Sequence, residues 1–274
     1  MSISLEYRIR NERMHLDPPR HIEVPLEPAQ LEALVEDGFI VRENLLGAEL
    51  LQTLRDAADE IEAEELEKRE AYTSGAFGGL FVRNVIDRHP AFLNLLHFEP
   101  LLGVARAVLG PQVQVRASVL RVSYPDLPNQ QVEWHFHQRC VPEPLPPFFA
   151  RPVVLDHLIY LDDLTLESGP LVVLPGSHKW NGDIPTGDHS DKEGQKTVLV
   201  PAGSCVTSHS GLWHKAMPTL PGGGKRRLLI WGHGPVWIKQ IDKPSNGAGY
   251  GLTDTLIQGS DEETREVLGL SGYY

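Results

Sequence analysis

Beyond Gly110 the chain changes its hydrophobic period. Val113, Val115, Ala117 and Val119 recur at every second position, the spacing of a strand with one face buried. Further strand-like runs lie at 131–137, 153–161, 170–174, 196–200, 204–209 and 226–233. Turn residues part them, among them Asn129, Gly169-Pro170, Pro175-Gly176 and Gly222-Gly223-Gly224. Many short strands cannot bury their faces singly, so they must stack as two sheets. The 25 Gly and 22 Pro imply many turns and short strands rather than a helical bundle. The expected fold is mainly β with helical trim: a double-sheet jelly roll, or double-stranded β-helix, of cupin-like form with N-terminal helices packed on one sheet.

The stretch before Gly110 reads differently. Residues 1–24 are polar and irregular, an N-terminal arm. Residues 25–110 form a helical lead-in. Glu27-Pro28 opens a helix carrying Leu31, Leu34 and Val35, and Gly38 stops it. Phe39-Ile40-Val41 is a short strand. Leu50, Leu54, Ala57, Ala58 and Ile61 mark a helix over about 49–70, with the acids from Glu60 to Glu67 on its solvated face. Residues 71–84 are Gly-rich with two Phe, suited to a cover over a pocket. They lack the Gly-Lys-Ser/Thr of a phosphate loop. Short helices are expected near 89–97 and 100–109. The jelly-roll core spans 111–240, and the tail 241–274 contains one amphipathic run, Glu262 to Leu270. No repeat or second domain is visible, so 1–274 reads as a single domain.

The net charge of −12 argues against nucleic-acid partners, which require clustered Lys and Arg. No apolar run reaches membrane-spanning length, and no signal peptide is visible. Two cysteines, Cys140 and Cys205, make no disulfide framework. A cytoplasmic protein, monomeric or homodimeric, with a small-molecule substrate fits these constraints.

The chemistry concentrates in Trp134-His135-Phe136-His137-Gln138. Side chains two apart on a strand share a face, so His135 and His137 can aim at one point. His214 follows in Gly211-Leu212-Trp213-His214. Three such ligands would cover one face of a metal and leave the opposite positions open, as oxygen-activating iron needs. Alternatives remain. One of the paired histidines can be a pocket residue instead of a ligand. Glu133 shares the face of His135, but it would stand about 13 Å from His137 along a strand, so both cannot hold one ion. Asp156 is a further carboxylate that nothing in its spacing singles out. His178, His209, Asp162 and Asp163 read as structural. Arg226 and Arg227 point to opposite faces, and only one can enter the barrel. Cys140 and Cys205 read as packing residues, and Trp134, Phe136, Trp213, Trp231 and Trp237 as core or wall.

Leu161-Asp-Asp-Leu-Thr-Leu-Glu-Ser-Gly-Pro-Leu-Val-Val-Leu-Pro-Gly-Ser-His178-Lys resembles a signature of the phytanoyl-CoA dioxygenase family of iron(II)- and 2-oxoglutarate-dependent oxygenases. Glu36-Asp37-Gly38-Phe39, Trp134-His135, Ala202-Gly203, Trp213-His214 and Arg226-Arg227 stand in the matching order, over roughly residues 28 to 235. The resemblance implies iron(II) on His135 and His214, with Arg226 pairing the far carboxylate of 2-oxoglutarate, a task suited to a planar fork. Dioxygen and a small organic molecule would be the other reactants. The chain departs from the family where His-x-Asp becomes His135-Phe136-His137, so that His137 stands in for the carboxylate. A lysine is often found on the strand before the motif, where this chain reads Arg121-Val122-Ser123-Tyr124, and Lys215-Ala216-Met217-Pro218 stands in place of Gly-Ser and Asn. Three readings follow: a 2-oxoglutarate-dependent dioxygenase, a three-histidine iron dioxygenase without 2-oxoglutarate, or a non-enzymatic binding protein on the same scaffold.

Overall fold

The computed structural model describes residues 3–7, 20–24, 26–68, 78–125, 127–128, 130–137, 147, 153–180, 182–240 and 251–270. In chain order these form β1 (Ile3–Tyr7), β2 (Arg20–Val24), α1 (Pro28–Glu36), β3 (Phe39–Arg42), α2 (Ala48–Lys68), β4 (Leu80–Arg83), α3 (Glu99–Leu109), β5 (Val113–Ser123) and β6 (Val132–His135). They continue with β7 (Leu155–Tyr160), β8 (Leu171–Val173), β9 (Lys196–Val198), β10 (Ser204–His209), β11 (His214–Ala216), β12 (Arg226–Pro235), α4 (Gly251–Gly259) and α5 (Glu262–Val267). Short 3-10 turns occupy Pro90–Leu95, where a helix was expected, and Ser177–Lys179. The chain divides into two units. One comprises Met1–Glu32, Arg83–Val119 and Trp231–Tyr274; the other comprises Ala33–Val82 and Leu120–Ile230.

Most strands of the expected jelly roll belong to the second unit, which takes β5 only from Leu120 and β12 only as far as Ile230. One sheet has the order β3-β10-β7-β12-β5-β4 and the other the order β6-β11-β8-β9. Pairing is antiparallel, with Val206 opposite Leu158 and Val41, and His214 opposite both His135 and Val173. Phe39, Leu158, Tyr160, Val206 and Leu228 from the first sheet pack with Leu171, Val173 and Val198 from the second in one buried cluster. Each side chain taken from water in this way contributes about 1.5–3 kcal/mol, which holds the layers face to face. On α2, Leu54, Ala57, Ala58 and Ile61 are buried, as their spacing predicts. Glu62 departs from the solvated reading of its neighbours. It is buried and accepts from Tyr124 Oη at 2.7 Å and Lys225 Nζ at 2.8 Å.

In the first unit, the N-terminal segment expected to be irregular contains an antiparallel pair, Ile3 opposite Val24 through Tyr7 opposite Arg20. Polar residues in an outward row do not prevent ladder formation, because the backbone supplies the bonds. The tail carries α4, a helix that the sequence reading did not single out, and α5 where the amphipathic run lies. The Asp261 side chain caps α5, accepting from Thr264 N at 2.8 Å. Trp231 is core as expected, but Trp237 is 62% exposed. Cys205 is fully buried. Cys140, Asn129 and residues 71–77 of the expected pocket cover lie outside the described residues; the rest of that stretch includes β4.

Candidate metal centre and anion pocket

Alternation along Trp134-His135-Phe136-His137 sorts its side chains by chemistry. Trp134 and Phe136 pack on one face with Val172, Leu174 and Trp213. His135 and His137 turn to the other face, into the cavity between the sheets. The ladder itself stops at His135. His137 lies beyond β6, and its backbone N–H donates to Ser210 O at 2.8 Å. His214 begins β11 directly opposite His135. Its placement depends on the Pro-Gly-Ser-His segment. Gly176 N bonds Asp37 O, the buried Ser177 hydroxyl accepts from Trp213 N at 2.8 Å, and His178 Nε2 donates to Val35 O at 3.1 Å. Gly38, at φ +84°, leaves the room that the His178 ring occupies.

The three rings meet with centroids 4.1–5.3 Å apart. Ligating atoms of His135, His137 and His214 all lie within 4.8 Å of one another, a group able to hold a metal ion. Each Nδ1 is committed elsewhere: His135 to Glu133 O at 2.9 Å, His214 to Leu212 O at 2.9 Å, and His137 to Asp156 Oδ2 at 2.7 Å. Carbonyl and carboxylate oxygens only accept, so each Nδ1 carries the proton and each Nε2 offers a lone pair. The Nε2 atoms of His137 and His214 face each other at 3.2 Å. Facing lone pairs repel, and a shared cation relieves them. Two adjacent nitrogens, each about 2.1 Å from one octahedral ion, would stand about 3.0 Å apart. Burial, reinforced by the neighbouring rings, pushes His135 well below its ordinary value and His214 down to about 3. Both rings are therefore neutral and ready to ligate at physiological pH. The donor set fits a divalent transition metal.

The other carboxylates do not join the cluster. Glu133 turns outward, and its Oε2 accepts from Gly187 N at 2.6 Å. Asp156 stands behind His137. His209 folds onto its own turn, its Nδ1 accepting from Gly211 N at 2.8 Å. Asp163 Oδ1 accepts from Ala202 N as a turn residue should, whereas Asp162 is chiefly an ion-pair partner of Arg227, Nη2 to Oδ1 at 2.9 Å.

The opposite wall of the same small cavity, about 50 Å³, is cationic. Arg121 and Arg226 line it with Leu158, Tyr160 and Leu228, and no acidic side chain is among the described lining residues. Arg226 is the inward member of its pair. It is 3% exposed, while Arg227 points out to Asp162 and Asp59. The Arg226 guanidinium donates to Gly169 O and, at 2.9 Å, to Ser123 Oγ, and its Nε is buried without a partner. Gly169 explains the Gly-Pro-Leu segment. Its φ is +79°, and a Cβ there would meet Met217 O at 2.6 Å and Arg226 Nη1 at 3.2 Å. Arg121 donates to Gln130 O at 2.5 Å; burial, then the nearby Arg226, pushes it down to about 10, which still leaves it charged. Arg121 continues the series Val113, Val115, Ala117, Val119, and that parity is the sequence signal that marks it. Lys215 also lines the cavity, but its ammonium is directed elsewhere, Nζ donating to His189 O at 2.9 Å beneath the Trp134 ring.

A family model described as phytanoyl-CoA dioxygenase matches residues 34–227. An ectoine dioxygenase of Sphingopyxis alaskensis is 30% identical over 179 residues, 61% of this chain and 56% of that protein. Another from Halomonas elongata is 29% identical over 161 residues, 57% and 47% of the two chains. The chain thus spans about half the length of the curated relatives it matches. Among solved structures, EctD from S. alaskensis, with 2-oxoglutarate and 5-hydroxyectoine, superposes with a TM-score of 0.62 at 22% identity, covering 78% of this chain and 77% of that one. HygX from Streptomyces hygroscopicus, with nickel and 2-oxoglutarate bound, gives 0.61 at 19% identity, covering 82% and 96%. At these identities the structural likeness shows the jelly-roll fold alone.

Proposed function

Because the chain belongs to the phytanoyl-CoA dioxygenase family, we propose that it is a non-haem iron(II) dioxygenase that uses 2-oxoglutarate to oxidise a small organic molecule. His135, His137 and His214 are the proposed ligands, and Arg226 the anchor for the far carboxylate of 2-oxoglutarate. The carrying observation is the pairing within one cavity of three convergent imidazoles with two buried guanidiniums that face no acid among the described residues. Iron(II), when bound, supplies the activation of dioxygen. The protein does the rest. Glu133 O, Leu212 O and Asp156 hold the rings in one tautomer, Arg226 and Ser123 present a fixed donor set to a carboxylate, and the apolar walls Leu158, Leu171 and Leu228 keep water out. Buried cations without an acid partner are costly, and a dianion between them and the metal offsets that cost. The relatives named ectoine dioxygenase support a small-molecule substrate. The proposal treats the whole chain as one oxygenase domain acting in the cytoplasm as a monomer or homodimer, in keeping with two cysteines that build no disulfide framework.

Anaerobic titration of iron(II) with and without 2-oxoglutarate tests this. A visible metal-to-ligand charge-transfer band that appears only with both is expected. Iron bound with no response to 2-oxoglutarate would favour a three-histidine dioxygenase whose own substrate chelates the metal, a reading that Lys215-Ala216-Met217-Pro218 after His214 favours.

A further inference from the structure

The three histidines are not held alike. His135 and His214 rest their Nδ1–H on backbone carbonyls, whereas His137 rests its own on a carboxylate, Asp156 Oδ2 at 2.7 Å. Asp156 sits on β7, where alternation puts it on the same inward face as Leu158 and Tyr160, and it is 4% exposed. Burying a carboxylate is expensive, and a backbone carbonyl would orient the ring equally well. The carboxylate serves the one ring that occupies the place of the family's acidic ligand. A divalent ion on three neutral imidazoles keeps its formal charge of +2. An aspartate ligand would lower that charge by one, and a carboxylate one hydrogen bond behind an imidazole acts in the same direction by making the ring a stronger donor.

We infer that Asp156 is a positioning residue for the metal centre, holding His137 with Nε2 toward the other two rings and returning through that ring the negative charge that the ligand set lacks. The inference rests on the three-histidine reading proposed above. It assigns a role to the pair of substitutions as a unit: His137 with Asp156 replaces a single directly ligating aspartate. It also predicts that the two carboxylate positions are alternatives, so that an aspartate at 137 makes the one at 156 superfluous or repulsive.

A double-mutant cycle tests it, with nickel(II) titrated calorimetrically into the metal-free full-length protein. Asp156→Asn, nearly isosteric, should weaken nickel binding about 10- to 100-fold. In the His137→Asp background the same substitution should leave affinity within about twofold, or tighten it. Equal losses in both backgrounds would mean that Asp156 only supports the fold, and no loss in the parent would mean that it does nothing for the metal; either overturns the inference. Asp156→Ser, which keeps an acceptor without charge, runs the same cycle if the asparagine variant fails to fold. His214→Ala separates this from failure of the underlying reading. If that variant binds nickel as the parent does, the three-histidine site itself is wrong; if it loses binding while Asp156→Asn does not, only the inference falls.

Discussion

At one end of the cavity three imidazoles converge, each with Nδ1 tied to an oxygen and two of them held neutral by burial. At the other end Arg121 and Arg226 stand charged and buried, bonded to Gln130 O, Gly169 O and Ser123 Oγ, neutral acceptors all. The first end concentrates lone pairs and awaits a cation. The second concentrates positive charge and awaits an anion. Neither is at its electrostatic optimum as it stands, which is the signature of a preorganised site and not of a satisfied core.

Removing a donor from the first end should have the largest effect. His214→Ala is expected to abolish stoichiometric iron(II) binding, measured under anaerobic conditions, because His214 stands opposite His135 and beside His137. Retained one-to-one iron would break the comparison at its metal end. Next comes the second end. Arg226→Leu should weaken 2-oxoglutarate binding to the metal-loaded protein by at least about 30-fold, the lower bound for stranding a buried charged partner. Arg227→Leu should leave that affinity unchanged and instead lower stability by about 1–2 kcal/mol, because it strips Asp162 of its fork. Similar effects of the two on binding would mean that the cationic end is not where the cosubstrate docks.

Gly169→Ala sharpens the same end more gently. At φ +79°, with Met217 O 2.6 Å from the added carbon, it should cost about 1–3 kcal/mol in a denaturant melt. It should also raise the 2-oxoglutarate dissociation constant by displacing Arg226. The last effect concerns pH and the metal-free protein. The folded protein holds His135 and His214 neutral below the pH at which the unfolded chain protonates them, so the unfolded chain binds more protons. Stability of the metal-free protein should therefore be complete above pH ~6.5 and fall as pH drops toward 3. His214→Gln should flatten that slope. An unchanged slope would show that the rings are not the groups responsible.

Much of this was legible in residue order. The switch to period two beyond Gly110 announced the strands, and alternation through Trp134-His135-Phe136-His137 put tryptophan and phenylalanine on one face and the histidines on the other. The structure keeps that division even though the ladder ends at His135. β1 and β2 were missed although Ile3-Ser4-Leu5-Glu6-Tyr7 and His21-Ile22-Glu23-Val24 do alternate, because runs this short are easily taken for irregular chain, and α4 is a short helix of the same kind. The choice between Arg226 and Arg227 was closed to periodicity, since adjacent strand residues always face opposite ways.

Local order thus determined which residues share a face, because the strand repeat is a property of the backbone. Tertiary structure alone decided which faces meet. It placed β7 so that Asp156 stands behind His137, brought Arg121 and Arg226 from β5 and β12 to one wall, and turned Glu133 and the Lys215 ammonium away. Hydrogen bonds and electrostatic contacts depend on distances between separate segments of the chain, and those distances exist only once the two sheets have closed on each other.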